Sequence, residues 1–468
     1  MIRLKKITFY DHKIFGNKSF DFTKNGNAVN NIIFAGENGS GKTKLLEELY
    51  NIGSMGFYPN HGSYTIKTHE ILIDISDENY VSFEDENIKM DEALLLITYR
   101  EDRITGSNKI IFKSNNSDFL NVKKLGSIEK VQMFKMNSLF STVDINYKPI
   151  NTIQGITSKT LDVENNTIPT DMASEIIQLL VDISIQDSCD LDSWVSQHRN
   201  IIPPEEIFHK RLKRFTNAFK IVFNDNIKFK EIKNNIIPIF IKNNNEIEIT
   251  SLSSGEKQII FRGVYLLRNK NSLKGVPILI DEPEISMHPK WEEKIFNYYQ
   301  TLSSDNDIQT SQIFVATHSE HVLAEALKRD DTVIIKFTNN EHQTFYKGCS
   351  GIILPTITLA EIKYSIFDLY TTDYHALLYG YIQQNLICDD NGQLIVDPSV
   401  NKTDKWLKDK GMIPKHYTKT YSNGDTYNYK TLSTYIRNCI DHPDDEHSFT
   451  TDELMESTNK MIDIINNH

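Results

Sequence analysis

Ile32-Ile-Phe-Ala35 runs directly into Gly36-Glu-Asn-Gly-Ser-Gly-Lys42-Thr43, and behind it Leu45, Leu46 and Leu49 fall on one face of a segment reaching Tyr50. A buried strand, a glycine-rich turn and an amphipathic helix therefore follow one another without a linker. The turn fits GxxxxGK[ST]. Gly36, Gly39 and Gly41 free the backbone N–H groups of the turn, including those of Asn38 and Ser40, to curl round an anionic phosphate. Lys42 reaches the β- and γ-phosphates, Thr43 offers a hydroxyl to Mg²⁺, and the helix N-terminus adds its dipole. A turn that matched by accident would lack the strand before it and the helix after it.

Further along, Val276-Pro-Ile-Leu-Ile280 reads as a near-continuous apolar strand ending in Asp281-Glu282-Pro283. Ligands sit at strand carboxyl ends in parallel α/β sheets, so two acids there point at a site. Asp281 is placed to hold Mg²⁺ and Glu282 to orient or deprotonate an attacking water. Leu252-Ser253-Ser254-Gly255-Glu256 opens a helix, with Ser253 and Gly255 offering a hydroxyl and backbone amides at its N-terminus. Thr317-His318-Ser319 follows the strand 313–316 and sets an imidazole one strand over from Asp281 and Glu282.

Four motifs in this order resemble the ATP-binding-cassette ATPases, in the branch of SMC, RecF and OLD proteins. Leu252–Glu256 is similar to their signature element, Asp281–Pro289 to their extended Walker B and D-loop, and His318 to their switch histidine. The resemblance covers roughly residues 1–60 and 250–335. It implies ATP and Mg²⁺ as the bound species, with Gly36, Asn38, Gly39, Ser40, Gly41, Lys42 and Thr43 on the phosphates. It also implies Thr43 and Asp281 at the metal, and Glu282 and His318 as catalytic. Ser253 and Gly255 would complete the site of a second chain, so a homodimer or higher homo-oligomer is expected. Gln132 and Gln154 are candidates for the family's Mg²⁺-side glutamine. Tyr10, Phe15 and Phe20 could include an adenine-stacking ring, and strand-core packing explains them equally well.

With 468 residues, 39% of them hydrophobic and 24% charged, the chain is long enough for two or three globular domains. Its net charge of −12 argues against a protein that coats nucleic acid by bulk charge. No apolar run is long enough for a membrane span, and no apolar stretch follows the charged start as in a secretory signal. Cys189, Cys349, Cys388 and Cys439 stand far apart without a CxxC pair, which excludes a zinc ribbon and fits reduced thiols in a cytoplasm.

The expected fold is α/β: an ABC-type head over 1–355, with an antiparallel lobe, a phosphate-loop parallel core and a helical insertion around 160–225. A mostly helical C-terminal docking domain over 356–468 follows. Residues 63–115 alternate as an antiparallel meander, and 229–249 hold two strand-like stretches. The tail reads as helical to about Gln384, then polar and loop-rich, then helical at 428–440 and 451–466. His209-Lys210-Arg211-Leu-Lys213-Arg214 is the one concentrated basic stretch, open to a nucleic-acid or a solvated-face reading.

Arg437-Asn438-Cys-Ile-Asp-His442-Pro443 is similar to the HEPN ribonuclease motif, and it also makes a good structural corner, since Asn and Pro stop a helix. The docking reading is preferred. A compact head without a coiled-coil arm or a membrane span, joined to this tail, resembles the ATPase subunits of bacterial anti-phage systems of the Septu and retron kind, and next of PARIS. That resemblance implies an ATPase that senses infection and controls a separate nuclease of HNH or Toprim type, with nucleic acid or a retron RNA–DNA hybrid as a further partner. The alternatives are an ATPase-gated HEPN ribonuclease toxin and a RecF-like repair ATPase. Neighbouring nuclease, reverse-transcriptase or replication genes would separate them.

Overall fold

The computed structural model describes residues 3–53, the strand segments 67–74, 81–83, 86–88, 92–99, 109–113, 120–121 and 139–141, and residues 172–468. Within that last span, 205–206, 208–209, 235–236, 267–276, 306–307, 339–340, 348, 350–351, 390–391, 421–423, 425 and 444–446 are excepted. Two compact units result, Met1–Tyr346 and Lys347–His468.

In the first unit the strands that build the sheets of three or more strands are β1 (Arg3–Tyr10), β2 (Ser19–Asp21), β3 (Asn31–Gly36), β4 (Lys67–Asp74), β5 (Glu92–Tyr99), β6 (Lys109–Lys113), β7 (Leu120–Asn121) and β8 (Leu139–Ser141). They are followed by β9 (Ile227–Lys233), β10 (Ile237–Lys242), β11 (Asn245–Glu248), β12 (Ile278–Asp281), β13 (Ile313–Thr317), β14 (Thr332–Phe337) and β15 (His342–Phe345). Its helices are α1 (Lys42–Gly53), α2 (Met172–Gln197), α3 (Lys210–Phe223), α4 (Ser254–Leu266), α5 (Pro289–Leu302) and α6 (Glu320–Leu327).

One sheet, ordered β7-β6-β5-β4-β1-β2, is antiparallel at every pairing. The other, ordered β8-β12-β13-β3-β14-β15, is parallel except at its β14–β15 edge. Its inner strands β3, β12, β13 and β14 are buried along their whole length, as the continuous apolar runs require when both faces are covered. This is the mixed α/β architecture expected from the sequence.

An aromatic core joins the two sheets. Phe9, Phe15 and Phe20 of the antiparallel lobe pack in one cluster with Phe34, Phe314 and Phe337 of the parallel sheet. Each such side chain contributes roughly 1.5–3 kcal/mol of burial, so the phosphate-loop strand is anchored in a strongly held core. The insertion is helical as expected, with α2 and α3 flanking the Pro203-Pro204 break. Trp291 of α5 meets Phe223 of α3 edge-on, with centroids 5.3 Å apart. Where two strand-like stretches are expected over 229–249, three strands form a meander, because Asn243 and Asn244 both take the left-handed conformation and close a tight hairpin.

The second unit contains α7 (Leu359–Phe367), α8 (Thr372–Asn385), α9 (Val400–Asp409), β16 (Pro414–Thr420), β17 (Thr426–Thr431), α10 (Leu432–Asp441) and α11 (Thr451–Asn466). Tyr374, Leu378, Ile382, Leu407 and Met461 form its core. Two expectations need correction here. The polar stretch after Gln384 holds α9 and the β16–β17 hairpin, and residues 428–431 are strand, not helix. Thr431 explains the late helix start: it is the N-cap of α10, its hydroxyl accepting the Thr434 N–H. Among the described residues no helix is long and apolar enough to cross a membrane. All four cysteines are free thiols.

Candidate active site

The phosphate loop is held open by two close approaches. A Cβ on Gly36 would lie 2.3 Å from the Phe337 carbonyl oxygen, and one on Gly41 would lie 3.2 Å from Phe15 Cε1; both glycines have positive φ, of 139° and 104°. Only glycine lets the loop lie this close to β14 and the aromatic core. Glu37, Asn38 and Gly39 are exposed at the loop tip, and the Ser40 Oγ is buried without a hydrogen-bond partner.

Lys42, at the start of α1, is almost wholly buried. Its ammonium donates to the Gly36 and Glu37 carbonyl oxygens, each at 2.9 Å, and lies 2.9 Å from His318 Nε2. Burial holds its pKa below the ordinary lysine value, and the carboxylates of Glu282, Asp281 and Glu284 partly offset that.

Thr43 Oγ1 donates to Asp281 Oδ1 at 3.1 Å. The carboxyl of Asp281 is pushed up to about 6, chiefly by burial and further by the Glu282 charge, against the pull of Thr43, Arg262 and Lys42. Two oxygen donors, a hydroxyl and a carboxylate, thus stand side by side. That set suits a hard divalent cation such as Mg²⁺, and the sealed, unpartnered Ser40 hydroxyl suits a phosphate oxygen.

Glu282 has φ 46°, left-handed backbone that costs a non-glycine residue ~1–2 kcal/mol. The strain turns its side chain to His318, whose Nε2 lies 3.0 Å from Glu282 Oε1. One imidazole nitrogen therefore faces both the Lys42 ammonium and the Glu282 carboxylate, accepting from the first or donating to the second according to where its proton sits.

The sequence assigned no role to three further residues in this corner, although Glu284 lies within the Asp281–Pro289 element. Arg262 of α4 is fully buried and donates to the Asp281 carbonyl oxygen and to Gln258 Oε1, each at 2.8 Å. Glu284 accepts from Thr317 Oγ1 at 2.6 Å and from the His318 N–H at 2.8 Å. Glu292 of α5 accepts from Ser319 Oγ at 2.5 Å. A charged residue on the apolar face of α4 was the available hint for Arg262, and the acidic Asp281–Glu284 run was the hint for Glu284.

The signature element lies at the N-terminus of α4. Ser253 is exposed, its hydroxyl accepting the Glu256 N–H at 3.4 Å while the Glu256 carboxylate accepts the Ser253 N–H at 2.8 Å. Gly255 is buried: a Cβ there would meet the Ser286 carbonyl oxygen at 2.5 Å. Ser286 is itself left-handed, at φ 62°. Lys42, Thr43, Asp281, Glu282 and His318 are thus brought together, and Ser253 and Gly255 are engaged with Glu256 and Ser286. Phe15 and Phe20 are core residues, and Tyr10 is exposed. Gln132, Gln154, His209 and the side chains of Lys210–Arg214 lie outside the described residues.

The AAA ATPase domain matches residues 161–323, from the insertion to the start of α6. That stretch of the chain is similar to an ATPase domain. Over 130 residues it is 31% identical to the Septu protein PtuA of Bacillus thuringiensis, a stretch that covers 25% of this chain and 31% of that protein. The chain therefore spans about a third of that relative's length. It is also 24% identical over 402 residues to the retron Vc95 probable ATPase of Vibrio cholerae, covering 71% of this chain and 73% of that one. Among solved structures, the SMC head domain of Pyrococcus furiosus bound to the C-terminal domain of ScpA is similar at 12% identity, with a TM-score of 0.41 and coverage of 74% and 96%.

Proposed function

We propose that this ATPase binds ATP with Mg²⁺ and hydrolyses it at a site completed by a second copy of the chain, and that the cycle controls a separate nuclease in a cytoplasmic anti-phage defence system. The observation that carries the enzymatic reading is the convergence of Lys42, Thr43, Asp281, Glu282 and His318 within hydrogen-bond distance. Lys42 and the loop N–H groups hold the terminal phosphates, and Thr43 and Asp281 hold the cation. Magnesium, when bound, neutralises phosphate charge and polarises the phosphoryl group. Glu282 orients the attacking water and takes its proton, while His318 fixes the Glu282 carboxylate through Nε2. Ser253 is exposed at a helix N-terminus, which supports its use by a neighbouring chain. The defence role is supported by the likeness to PtuA and to the retron ATPase.

Lys42→Ala should abolish ATP binding, and Glu282→Gln should retain binding while turnover falls by about 10²-fold or more. Equilibrium binding of a fluorescent ATP analogue and phosphate release measure the two separately. Turnover by Glu282→Gln at the wild-type rate would reject this assignment of roles.

The ribonuclease alternative finds less support. Arg437 pairs with Asp441 at 2.7 Å and donates to Asn438, while His442 is exposed at the end of α10. That geometry supports a structural corner in a docking module.

A further inference from the structure

Glu284 stands two residues beyond Glu282, but its carboxylate turns to the neighbouring strand end. Three donors converge on Oε1: Thr317 Oγ1 at 2.6 Å, the His318 N–H at 2.8 Å and the Ser319 N–H at 3.1 Å. Its other oxygen is sealed from solvent without a hydrogen-bond partner. The same short segment is pinned from the far side, because Ser319 Oγ donates to Glu292 Oε2 and also accepts the Val322 N–H at 3.3 Å, capping α6. Residues 317–319 are thus clamped by two carboxylates, one from the loop after β12 and one from α5. His318 is the middle residue of the clamp. With its backbone fixed, only its own side-chain torsions are left to place the ring, and Nε2 comes to 3.0 Å from Glu282 Oε1. Removing the Glu284 carboxylate would orphan the His318 N–H and the Thr317 hydroxyl at the base of that ring, and would leave the Ser319 N–H only its 2.9 Å bond to Thr317 Oγ1.

We propose that Glu284 is a positioning residue for the hydrolytic centre: it fixes the backbone that carries His318 and thereby sets His318 against Glu282. The inference rests on the hydrolytic reading of the site. Glu284 touches neither nucleotide nor water in this role, so it acts on turnover through His318 and leaves nucleotide affinity alone.

The test is a double-mutant cycle with the full chain. Glu284→Ala should lower kcat by about 10²-fold, as expected for a small misplacement of a catalytic group, with KM and the Kd of a fluorescent ATP analogue unchanged. Glu284→Gln keeps an acceptor oxygen and should recover most of that loss. In a His318→Ala background, Glu284→Ala should add less than about a twofold further loss, since its effect passes through a ring no longer present. An equal loss in both backgrounds would overturn the proposal. If Glu284→Ala gives no cooperative melt, Glu284→Asp, which withdraws the acceptor by one methylene, runs the same cycle with the same criterion. If the wild-type chain shows no turnover, the hydrolytic reading itself fails. Positioning is then decided by NMR of labelled histidine, with the His318 ring assigned from His318→Ala. A ring resonance displaced by Glu284→Asp sustains the clamp, and an unmoved one rejects it.

Discussion

Burial raises the carboxyl of Asp281 from 3.8 to about 6, yet holding a cation requires the charged form. Because the folded value is the raised one, the stability that this group lends is complete below about pH 4 and is lost as pH rises through about 6. Cation binding runs the other way. As pH falls from neutral through about 6, the nucleotide-free protein should gain stability while Mg²⁺-dependent nucleotide affinity weakens. Asp281→Asn should raise stability at neutral pH by ~1–3 kcal/mol and flatten its pH profile. The same change should remove the Mg²⁺ dependence of binding; thermal melts across pH and Mg²⁺ titrations of nucleotide affinity measure the two effects. A melting temperature that is insensitive to the substitution would mean that Asp281 is not held above its ordinary value. At this scale the sequence was readable where chemistry dictates residue type. Lys42, Thr43, Asp281 and Glu282 are all named by short motifs with fixed neighbours. Arg262 was not, and Glu284 fell inside Asp281–Pro289 without an assigned role, because their roles come from which backbone carbonyl or N–H the fold delivers to them, and no local pattern encodes that delivery.

Between elements, Gly255 and Gly36 do comparable work: Gly36 ends β3, and Gly255 of α4 packs on the loop that follows β12. Gly255 lets α4 lie against the Ser286 carbonyl, where a Cβ would come within 2.5 Å of the oxygen. Gly255→Ala should destabilise the protein by ~1–3 kcal/mol and lower turnover, since it pushes α4 and its Arg262 away from the Asp281 carbonyl. Gly36→Ala meets the Phe337 carbonyl at 2.3 Å and adds a left-handed φ penalty, so it should be the more damaging of the two. Denaturant melts beside ATPase assays on both variants check the order. The inner strands of the parallel sheet were legible because runs buried on both faces leave long apolar signatures. The β16–β17 hairpin was not legible: its exposed face carries Thr418, Thr420, Thr426 and Asn428, which pair with one another across the strands. Such residues look like loop unless their partners are known. Helix α11 was easier, as Thr450 and Glu453 form a complete capping box at its start.

At the level of the whole molecule, the proposed use of the exposed Ser253 by a second chain would make assembly a matter of kinetics. Mixing Lys42→Ala with Ser253→Arg chains, each inactive alone, should restore part of the activity through hybrid interfaces. Specific activity of the wild type should rise with protein concentration, and a rate strictly proportional to concentration at every dilution would exclude a shared site. In the tail, the Asp441 carboxylate neutralises Arg437 and His442 is exposed, so His442→Gln should leave melting temperature and partner retention unaltered. RNA cleavage by the purified chain that disappears in this variant would instead place the toxin in the tail. The seam after Tyr346 has a different kind of consequence. Lys347–His468 buries a core of its own, with Tyr374, Leu378, Ile382, Leu407 and Met461, and the phosphate-loop strand belongs to a different cluster. Under the proposed docking role, one crossover at that seam would exchange the partner that the tail selects, while Lys42 and Glu282 stay in the same inherited segment.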